Sequence, residues 1–573
     1  MKKIIISVLF SILIILVGCN KKLDETLYDT QTLGSITTTA DVLKVIQGTY
    51  GILEDVSLYK KELLKLLLLT GDDFTTTSNE YQPYSQKVYD PTSPSIAQSY
   101  QSYYSVINNC NYLLSKIPSI KTTSGTDSTL KAREEGEIRF FRAFAYFDLV
   151  RLFGEVPIRT VPTNINTNFY IARSKVDSVY ALIFSDLKIA ATNLPYKSTF
   201  DGIGFTNKGA TQALQSLAYL TYGNYLDNNG RTAKAAFTTA DSCATVVIKS
   251  GGYSLFSNYA DLWNVDNEST AYGTEVIFGI RFTRDNIVSG GSALGSQLPQ
   301  LFMPSNMGGV TGNPVKNALG AYGSGSGNYR VQPWFYNYCL SGDYVNDYRG
   351  DVTFITSWAK TPGSGTKYVS FPAIPSTKTD TVPFQTPFIK KYIDSKGLDA
   401  ANHENDFFFL RLPEVYLIRA EAENEMYGGP SGAPNALKDM NVLRKRARNA
   451  NLISPRLTPL DVPSGLSQND FRKKIFDERG LEFIGEGKRW FDLVRMKGPD
   501  GTGTMYQYQF SDYIPNQVSI GLPVYDKVAK TWSEGLIDAT TVVPYDSKYL
   551  LFPIPQAERD LNSKLTQNKG WGQ

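Results

Sequence analysis

The sequence predicts a mainly α-helical protein, in which a helical-repeat scaffold is interrupted by a long, loop-rich insertion with a few short strands. Apolar side chains recur at helical spacing through most of residues 19–250 and again through residues 406–573. Over residues 251–405 this periodicity fades, and glycine, serine, proline and asparagine become frequent. We therefore expect an N-terminal helical region, an insertion and a C-terminal helical region. The chain of 573 residues is longer than one ordinary hydrophobic core accommodates.

The composition argues against several classes of function. Lysine and arginine number 58 against 55 acidic residues, so the net charge of +3 gives no electrostatic reason to bind nucleic acid. His403 is the single histidine, which excludes histidine-rich metal sites and leaves one possible Ser–His or Cys–His pair. Cys110, Cys243 and Cys339 match no zinc motif, so we expect buried free thiols with at most one disulfide. We predict no cofactor and no metal ion.

The first residues predict an exported lipoprotein. A positively charged start is followed by an apolar run over residues 4–17, which is shorter than the roughly 20 residues that span a bilayer. We therefore interpret residues 1–18 as a signal peptide. The sequence Leu-Val-Gly-Cys that ends at Cys19 is typical of a lipobox, so we expect acyl chains on Cys19 to anchor the protein to a membrane. An ordinary secretory signal with a chance cysteine is the alternative.

The N-terminal region contains a series of predicted helices. They cover residues 38–55, 61–69, 97–117, 134–153, 174–193, 207–227 and 232–250. The last two form a unit close to the ~34-residue period of a tetratricopeptide repeat. Because Ala210, Ala213 and Ala218 are small, they would let paired helices approach closely. The period is irregular along the chain, so we expect a repeat-like scaffold and not a uniform solenoid.

A polar loop over residues 71–89 is a candidate ligand contact. It combines Asp73 with Tyr81 and Tyr84, and rings that stack on sugars beside carboxylates that accept from hydroxyls suit carbohydrate binding. Binding residues also concentrate in loops on rigid scaffolds. An ordinary solvated loop would have the same composition, so both interpretations stay open here.

The insertion at residues 251–405 is the predicted ligand platform. Long stretches without regular helices are more often functional or disordered than neutral, although residues 275–282 predict one strand. Aromatic rings carried by glycine-rich loops are costly to expose unless they pack or bind something. We therefore choose Tyr322, Trp334, Tyr336 and Trp358 as candidate ligand contacts. The glycine-rich run at residues 323–328 lacks the strand–turn–helix context of a phosphate loop.

The C-terminal region resumes the helical pattern over residues 407–427, 435–449 and 473–497. In the last of these, Glu478, Glu482 and Glu486 recur every four residues beside Arg479 and Arg489, which brings opposite charges together. We interpret this as a structural lattice of buried ion pairs. A glutamate pair for acid–base chemistry or ligand binding is the alternative.

Four sequence patterns resemble one known family. ERGLEFIGEGKRWFDLVR at residues 478–495, GEIRFFRAFAYFDLVRLFGEVP at 136–157, RLPEVYLIRAEA at 411–422, and L-x-P-I-P with Gln-Asn at 551–568 resemble signatures of the SusD/RagB family of nutrient-binding outer-membrane lipoproteins. Lys488 stands where the family pattern often has His or Gln. The resemblance implies a scaffold of tetratricopeptide-like helix pairs, in agreement with the pattern found above.

The resemblance also implies a function. A member of this family would be a surface-exposed lipoprotein of the outer membrane that captures a nutrient, most often a glycan, and delivers it to a partner TonB-dependent, SusC-like transporter. It would not be an enzyme and would have no catalytic residues. A peptide cargo, a glycoside hydrolase with two carboxylates and a scaffold that binds another protein are the alternatives.

Overall fold

A computed structural model describes residues 36–572 apart from 165, 198–204, 251, 285–294, 305–324, 361–366, 372–380, 384–385, 399–401, 449–454, 517–523, 527, 530 and 534–542. Cys19, the signal peptide and Tyr322 therefore lie outside the described residues. The described chain is mainly helical with short strands, which confirms the predicted fold class. The domain boundaries at residues 250 and 405 stay predictions.

The N-terminal helices are α1 (Thr39–Leu53), α2 (Glu62–Leu69), α3 (Gln82–Ser85), α4 (Pro94–Lys116), α5 (Gly125–Phe153), α6 (Val176–Asn193), α7 (Lys208–Asn228) and α8 (Lys234–Ser250). Consecutive helices pack as pairs: α4 packs on α5, α5 on α6 and α7 on α8. Side-chain caps begin several of them, as where Asn207 accepts a hydrogen bond from the Ala210 N–H. A Cβ at Gly223 would lie 2.5 Å from the Phe237 ring, so glycine permits the close approach of α7 and α8.

The insertion contains more regular structure than the sequence predicts. It folds into short helices α9 (Tyr259–Leu262), α10 (Glu268–Thr274), α11 (Leu298–Phe302), α12 (Pro333–Cys339) and α13 (Tyr348–Thr353). Its strands are β2 (Val276–Ile280), β3 (Arg330–Val331), β4 (Phe354–Ile355), β5 (Ser357–Lys360), β6 (Lys367–Ser370), β7 (Thr381–Pro383) and β8 (Phe388–Ile389), and β3 pairs with β1 (Phe74–Thr75). The strand predicted at residues 275–282 is confirmed as β2.

The C-terminal helices are α14 (Leu412–Tyr427), α15 (Ala436–Arg448), α16 (Gln468–Glu482), α17 (Arg489–Arg495), α18 (Met505–Tyr508) and α19 (Gln556–Leu561). Strand β9 (Phe407–Arg411) precedes them, and β10 (Val524–Asp526) pairs with β11 (Thr531–Ser533). The predicted start of a helix at residue 407 is wrong, because the buried run Phe407–Arg411 pairs antiparallel with β2. Helix α14 packs on α8, so the stack of helices continues across the insertion.

Buried ion pairs join β9 to the end of α16. Arg411 contacts Glu275 at 2.8 Å, Glu482 at 3.0 Å and Glu486 at 2.8 Å, and all four side chains are buried. Arg446 adds a 2.7 Å contact to Glu482. Burial alone would raise the pKa of Glu482, but the guanidinium groups around it hold that pKa far below its usual range. The predicted buried lattice of ion pairs is confirmed, but two of the predicted partners are wrong. Arg479 pairs with Glu414 and Asp492, and Arg489 pairs with Asp72, so neither contacts the glutamate run.

Further cations complete this lattice on α13 and α15. Arg349 contacts Glu478 at 2.7 Å and Glu482 at 3.0 Å, and Arg444 contacts Glu478 at 3.0 Å. The helix is interrupted at residues 483–488, where Gly485 and Gly487 have φ values of 82° and 67°, which glycine adopts readily.

Removing one carboxylate from this lattice should destabilise the protein strongly. We expect Glu482→Gln to lower the free energy of unfolding by about 3–5 kcal/mol, because it leaves buried arginines without their partner. Asp266→Asn is the matched control, since Asp266 pairs with Lys396 on the surface and such pairs contribute about 0–1 kcal/mol. Urea unfolding of both variants measures the difference, and equal effects would contradict a structural role for the lattice.

The buried carboxyl of Glu134 on α5 should make stability depend on pH. Burial, and then the nearby Glu137, raises the pKa of Glu134 to about 8, against an opposing effect of Arg133. Between its ordinary pKa and about 8, the folded protein keeps a proton that the unfolded chain releases, so the free energy of unfolding falls as pH rises. We expect Glu134→Gln to reduce this fall between pH 5 and pH 8. An unchanged fall in urea titrations at the two pH values would contradict this assignment.

Candidate functional site

The polar loop at residues 71–89 does not display its predicted contacts. Asp73, Tyr81 and Tyr84 are all buried. The Tyr84 hydroxyl donates to Ser95 Oγ at 2.8 Å, and the Tyr81 ring packs against the ring of Tyr329. The prediction that these groups face solvent for sugar contact is therefore wrong, because the loop folds inward against β3 and the start of α4.

The aromatic side chains chosen in the insertion are also packed. Trp334 is 6% exposed and lies against Tyr513, while Trp358 is 3% exposed and lies against Phe388. Tyr336 is half-buried. The prediction that the two tryptophans are displayed is wrong, because short helices and strands replace the open loops that the composition predicts. In this arrangement neither tryptophan offers a ring face to a ligand.

Exposed aromatic rings occur instead beside α4. Phe169 is 50% exposed and Tyr170 is 56% exposed, in the connection between α5 and α6. With Val161 and Leu561 they account for four of the twelve large apolar side chains that are exposed in the described part of the chain. Monomeric proteins seldom gather exposed apolar groups without a binding role.

These four side chains line one concave surface, which we call the α4 groove. It has a volume of about 440 Å³, within the range of ligand sites. Its lining residues are Tyr100, Tyr104, Ile107, Asn108 and Asn111 of α4, Pro157, Arg159, Val161, Thr163, Phe169 and Tyr170 of the connection, and Glu558, Leu561, Asn562 and Leu565 of the C-terminal segment. The groove therefore lies between three parts of the chain that are distant in sequence.

Side chains of α4 and α5 hold the connection in place. The Asn111 amide donates to the carbonyl oxygens of Arg159 at 3.0 Å and Val161 at 3.3 Å. Arg142 of α5 donates to Asn111 Oδ1 at 2.8 Å, which fixes the orientation of the amide. The Tyr104 hydroxyl donates to the Pro157 carbonyl at 2.8 Å. The wall that carries Phe169 is thus fixed to a rigid helix, as a preorganised site requires.

Polar groups lie next to the exposed rings. The Arg159 guanidinium stacks 5.6 Å from the Phe169 ring and donates to the Phe169 carbonyl at 3.3 Å. Glu558 accepts from Gln101 at 2.9 Å, and the Asn108 side-chain oxygen accepts from the Thr163 N–H at 2.9 Å. A guanidinium has five donors, a carboxylate has two oxygens and an amide has two further donors, so each retains capacity for a ligand. This combination of ring faces and hydrogen-bonding groups suits a molecule rich in hydroxyls.

Other classes of site find little support in the described residues. No group of three or more histidine, cysteine, aspartate or glutamate side chains among them could hold a metal ion. Cys110, Cys243 and Cys339 are free thiols, as predicted, and burial raises the pKa of Cys243 to about 11. No helix in this part of the chain is both long and apolar enough to cross a membrane.

Comparison with known proteins decides the family. The model of the SusD family matches residues 274–571, which is more than half of the chain. The chain belongs to the SusD family. A second family model, described as starch-binding associating with outer membrane, matches residues 23–220 of this SusD-family chain.

Curated and solved relatives agree with this assignment. SusD-like protein P25 of Formosa agariphila is 25% identical over 80% of this chain and 82% of its own length. Starch-binding protein SusD of Bacteroides thetaiotaomicron is 24% identical over 78% of this chain and 75% of its own. The crystal structure of a SusD homolog from Bacteroides thetaiotaomicron superposes with a TM-score of 0.74 at 22% identity, covering 94% of this chain and 98% of that one. The fold of this chain is thus the SusD fold.

The sequence contained a signal for the groove that its overall pattern concealed. Phe169 and Tyr170 are adjacent aromatic residues in a polar connection between two predicted helices, where no apolar periodicity explains them. Residues of this kind are costly to expose without a role. The contribution of Glu558 could not be found in this way, because its helix lies nearly 400 residues further along the chain.

Truncating Trp334 should affect folding and not a ligand surface. We expect Trp334→Ala to lower the free energy of unfolding by about 3–5 kcal/mol, as for other buried aromatic residues. Tyr427→Ala is the control, because Tyr427 is 53% exposed and its loss should change stability by roughly 0.5 kcal/mol or less. Normal stability of Trp334→Ala in urea, together with lost sugar binding, would contradict the buried position.

Proposed function

We propose that this protein is a surface-exposed outer-membrane lipoprotein that binds an oligo- or polysaccharide in the α4 groove and delivers it to a partner TonB-dependent, SusC-like transporter. The observation that carries the proposal is the pair of exposed rings, Phe169 and Tyr170, beside Arg159 in a groove of ligand size. The description of the matching family as starch-binding and the name of the starch-binding relative support a glycan as the cargo.

Sugar binding would use both kinds of group in the groove. The rings of Phe169 and Tyr170 offer apolar faces to the C–H faces of sugar rings, while Arg159, Asn108 and Glu558 hydrogen-bond hydroxyl groups. A half-exposed ring loses little conformational entropy on binding, because it has only two side-chain torsions. We expect modest affinity, since the cargo must afterwards be released to the transporter.

Binding without catalysis fits the groove better than glycoside hydrolysis does. Hydrolysis generally uses two carboxyl groups about 5–10 Å apart. Glu558 is the one carboxylate among the described residues that line the groove. Relatives are likewise described as binding proteins. The alternative is a peptide cargo, which could place apolar side chains against the same rings. The gel experiment with polysaccharides below distinguishes a glycan cargo from a peptide cargo.

Membrane attachment would come from Cys19. The lipobox that ends at this residue, together with the family description as associated with the outer membrane, supports a lipid anchor. Several acyl chains are needed for stable attachment, because each buried methylene contributes about 0.8 kcal/mol.

The groove predicts a specific binding defect. We expect a protein of residues 20–573 to be retarded in native gels that contain one of several polysaccharides, starch and laminarin included. Tyr170→Ala should weaken the affinity measured from that retardation roughly tenfold, because an exposed ring contributes about 1.4 kcal/mol by stacking and burial. Tyr427→Ala is the control, since Tyr427 is a similarly exposed tyrosine outside the groove.

Three outcomes would count against this proposal. Retardation by no polysaccharide would favour a peptide cargo, and equal losses in Tyr170→Ala and Tyr427→Ala would exclude the groove. Release of shortened oligosaccharides from the gel matrix would show that the protein is an enzyme.

The anchor makes a separate prediction. We expect cells that express the full chain to incorporate radiolabelled palmitate into the protein. Protease added outside intact cells should degrade the labelled protein. Cys19→Ala should abolish labelling and release the protein from the outer membrane, whereas Cys110→Ala should change neither. Labelling without sensitivity to external protease would contradict the proposed exterior orientation.

A further inference from the structure

A second concave surface lies at the C-terminal ends of α5 and α7. This cleft has a volume of about 740 Å³. The residues that line it and matter here are Tyr180 of α6, Tyr225, Asn228 and Asn229 at the end of α7, and Thr504 and Gln507. It shares no lining residue with the α4 groove.

A row of half-buried aromatic rings leads into this cleft. Tyr219, Tyr222 and Tyr225 follow one another at intervals of three residues, so they lie on one face of α7 over about 9 Å. The Phe184 ring of α6 stacks on Tyr219 with 3.7 Å between ring centroids and 1° between planes. We call these four side chains the aromatic row. Because Tyr225 also lines the cleft, the row and the cleft form one continuous surface.

Contacts between the rings fix their orientation. The Tyr222 ring lies 4.8 Å from that of Tyr180 and is stacked at 18° with that of Tyr225. The Tyr222 hydroxyl donates to Asp177 at 3.1 Å, and Arg231 donates to the same carboxylate oxygen at 3.0 Å. Side chains that are held before a ligand arrives lose little entropy when it binds.

The cleft adds hydrogen-bonding groups to these rings. Asn228 and Asn229 at the end of α7 line the cleft with Thr504 and Gln507 at the start of α18. The Asn228 amide donates to the Arg495 carbonyl at 2.8 Å and the Asn229 amide to the Tyr225 carbonyl at 2.7 Å, which leaves one N–H and the side-chain oxygen of each for a ligand. Gly501 and Gly503, in the turn before α18, have φ values of 80° and 54°, which other residues seldom adopt. This backbone therefore forms a wall at the cleft without the bulk of side chains.

We propose that the aromatic row and this cleft are a second sugar-binding surface, separate from the α4 groove. The inference rests on the proposed function, because it takes sugars to be the cargo. Ring faces next to amide and hydroxyl groups in a concave site match an oligosaccharide. A protein partner would instead require a broad surface of about 800 Å² on each side, and the row is only about 9 Å long.

Two separate surfaces on one chain have a consequence for capture. A long polysaccharide that reaches both surfaces binds with an effective concentration set by the segment between them, so its affinity exceeds that of a short fragment. Short fragments occupy the two surfaces independently. The number of hexasaccharides bound per chain therefore tests the proposal directly.

Isothermal titration of the purified full chain in detergent, with maltohexaose and with laminarihexaose, measures this number. We expect two molecules of the hexasaccharide that binds per chain. Tyr225→Ala should reduce the number to one, and Tyr225→Phe, which keeps the ring, should leave two. Tyr170→Ala should weaken one of the two sites, the one in the α4 groove, about tenfold and leave the affinity of the cleft unchanged. Gln507→Ala, at an exposed position that is safe for folding, should weaken one of the two sites several-fold.

The outcomes separate this inference from the proposed function. One hexasaccharide per wild-type chain, with no change in Tyr225→Ala or Gln507→Ala and a loss in Tyr170→Ala, overturns the second surface and leaves sugar binding in the groove intact. The same result is expected if the row docks a protein. No binding of either hexasaccharide by the wild-type chain overturns sugar binding at both surfaces.

Discussion

Most of this structure depends on the ion pairs that the buried guanidinium of Arg411 makes with carboxylates. Arg411 lies at the end of β9, where the insertion returns to the helical scaffold. It binds Glu275, which immediately precedes β2, Glu482 at the end of α16 and Glu486 in the turn that follows. Charges inside a protein are strongly unfavourable unless each finds a partner, so such a set tolerates few alternative arrangements. Arg349 of the insertion and Arg444 of α15 use the same carboxylate run. The lattice therefore fixes how the insertion meets the C-terminal helices.

This arrangement also explains why the strongest sequence motif does not mark the binding surface. Glu478, Glu482 and Glu486 each accept from buried cations, which leaves them inaccessible to a ligand. The binding surfaces that we propose lie instead on the connection between α5 and α6 and on the outer faces of helix pairs. There the scaffold supplies rigidity, as where Asn111 and Arg142 hold the groove wall, and exposed side chains would supply the contacts.

Local patterns in the sequence predicted the long helices, the buried charged run at residues 478–489 and the β2 strand, because periodicity acts over a few residues. The partners of those charges could not be predicted in this way, since Arg349, Arg411 and Arg446 come from distant segments. The strand β9 was missed because its four apolar residues, Phe407 to Leu410, match a helix as well as a strand until β2 is available to pair with it. The burial of Trp334 and Trp358 could not be predicted from the sequence. Composition shows that each ring lies in an irregular segment, but long-range packing decides whether the ring is buried. The α4 groove was missed because three distant segments meet there, and Phe169 gives only a local hint.

Hydrogen–deuterium exchange of the full chain, with and without maltohexaose or laminarihexaose, tests whether sugars bind at the connection between α5 and α6. If they do, exchange slows in peptides that cover residues 157–170 and α4 when the sugar that binds is present. Protection confined to residues 71–89 and to α12, with none at residues 157–170, would contradict binding at the connection and restore the loop and insertion as the binding site.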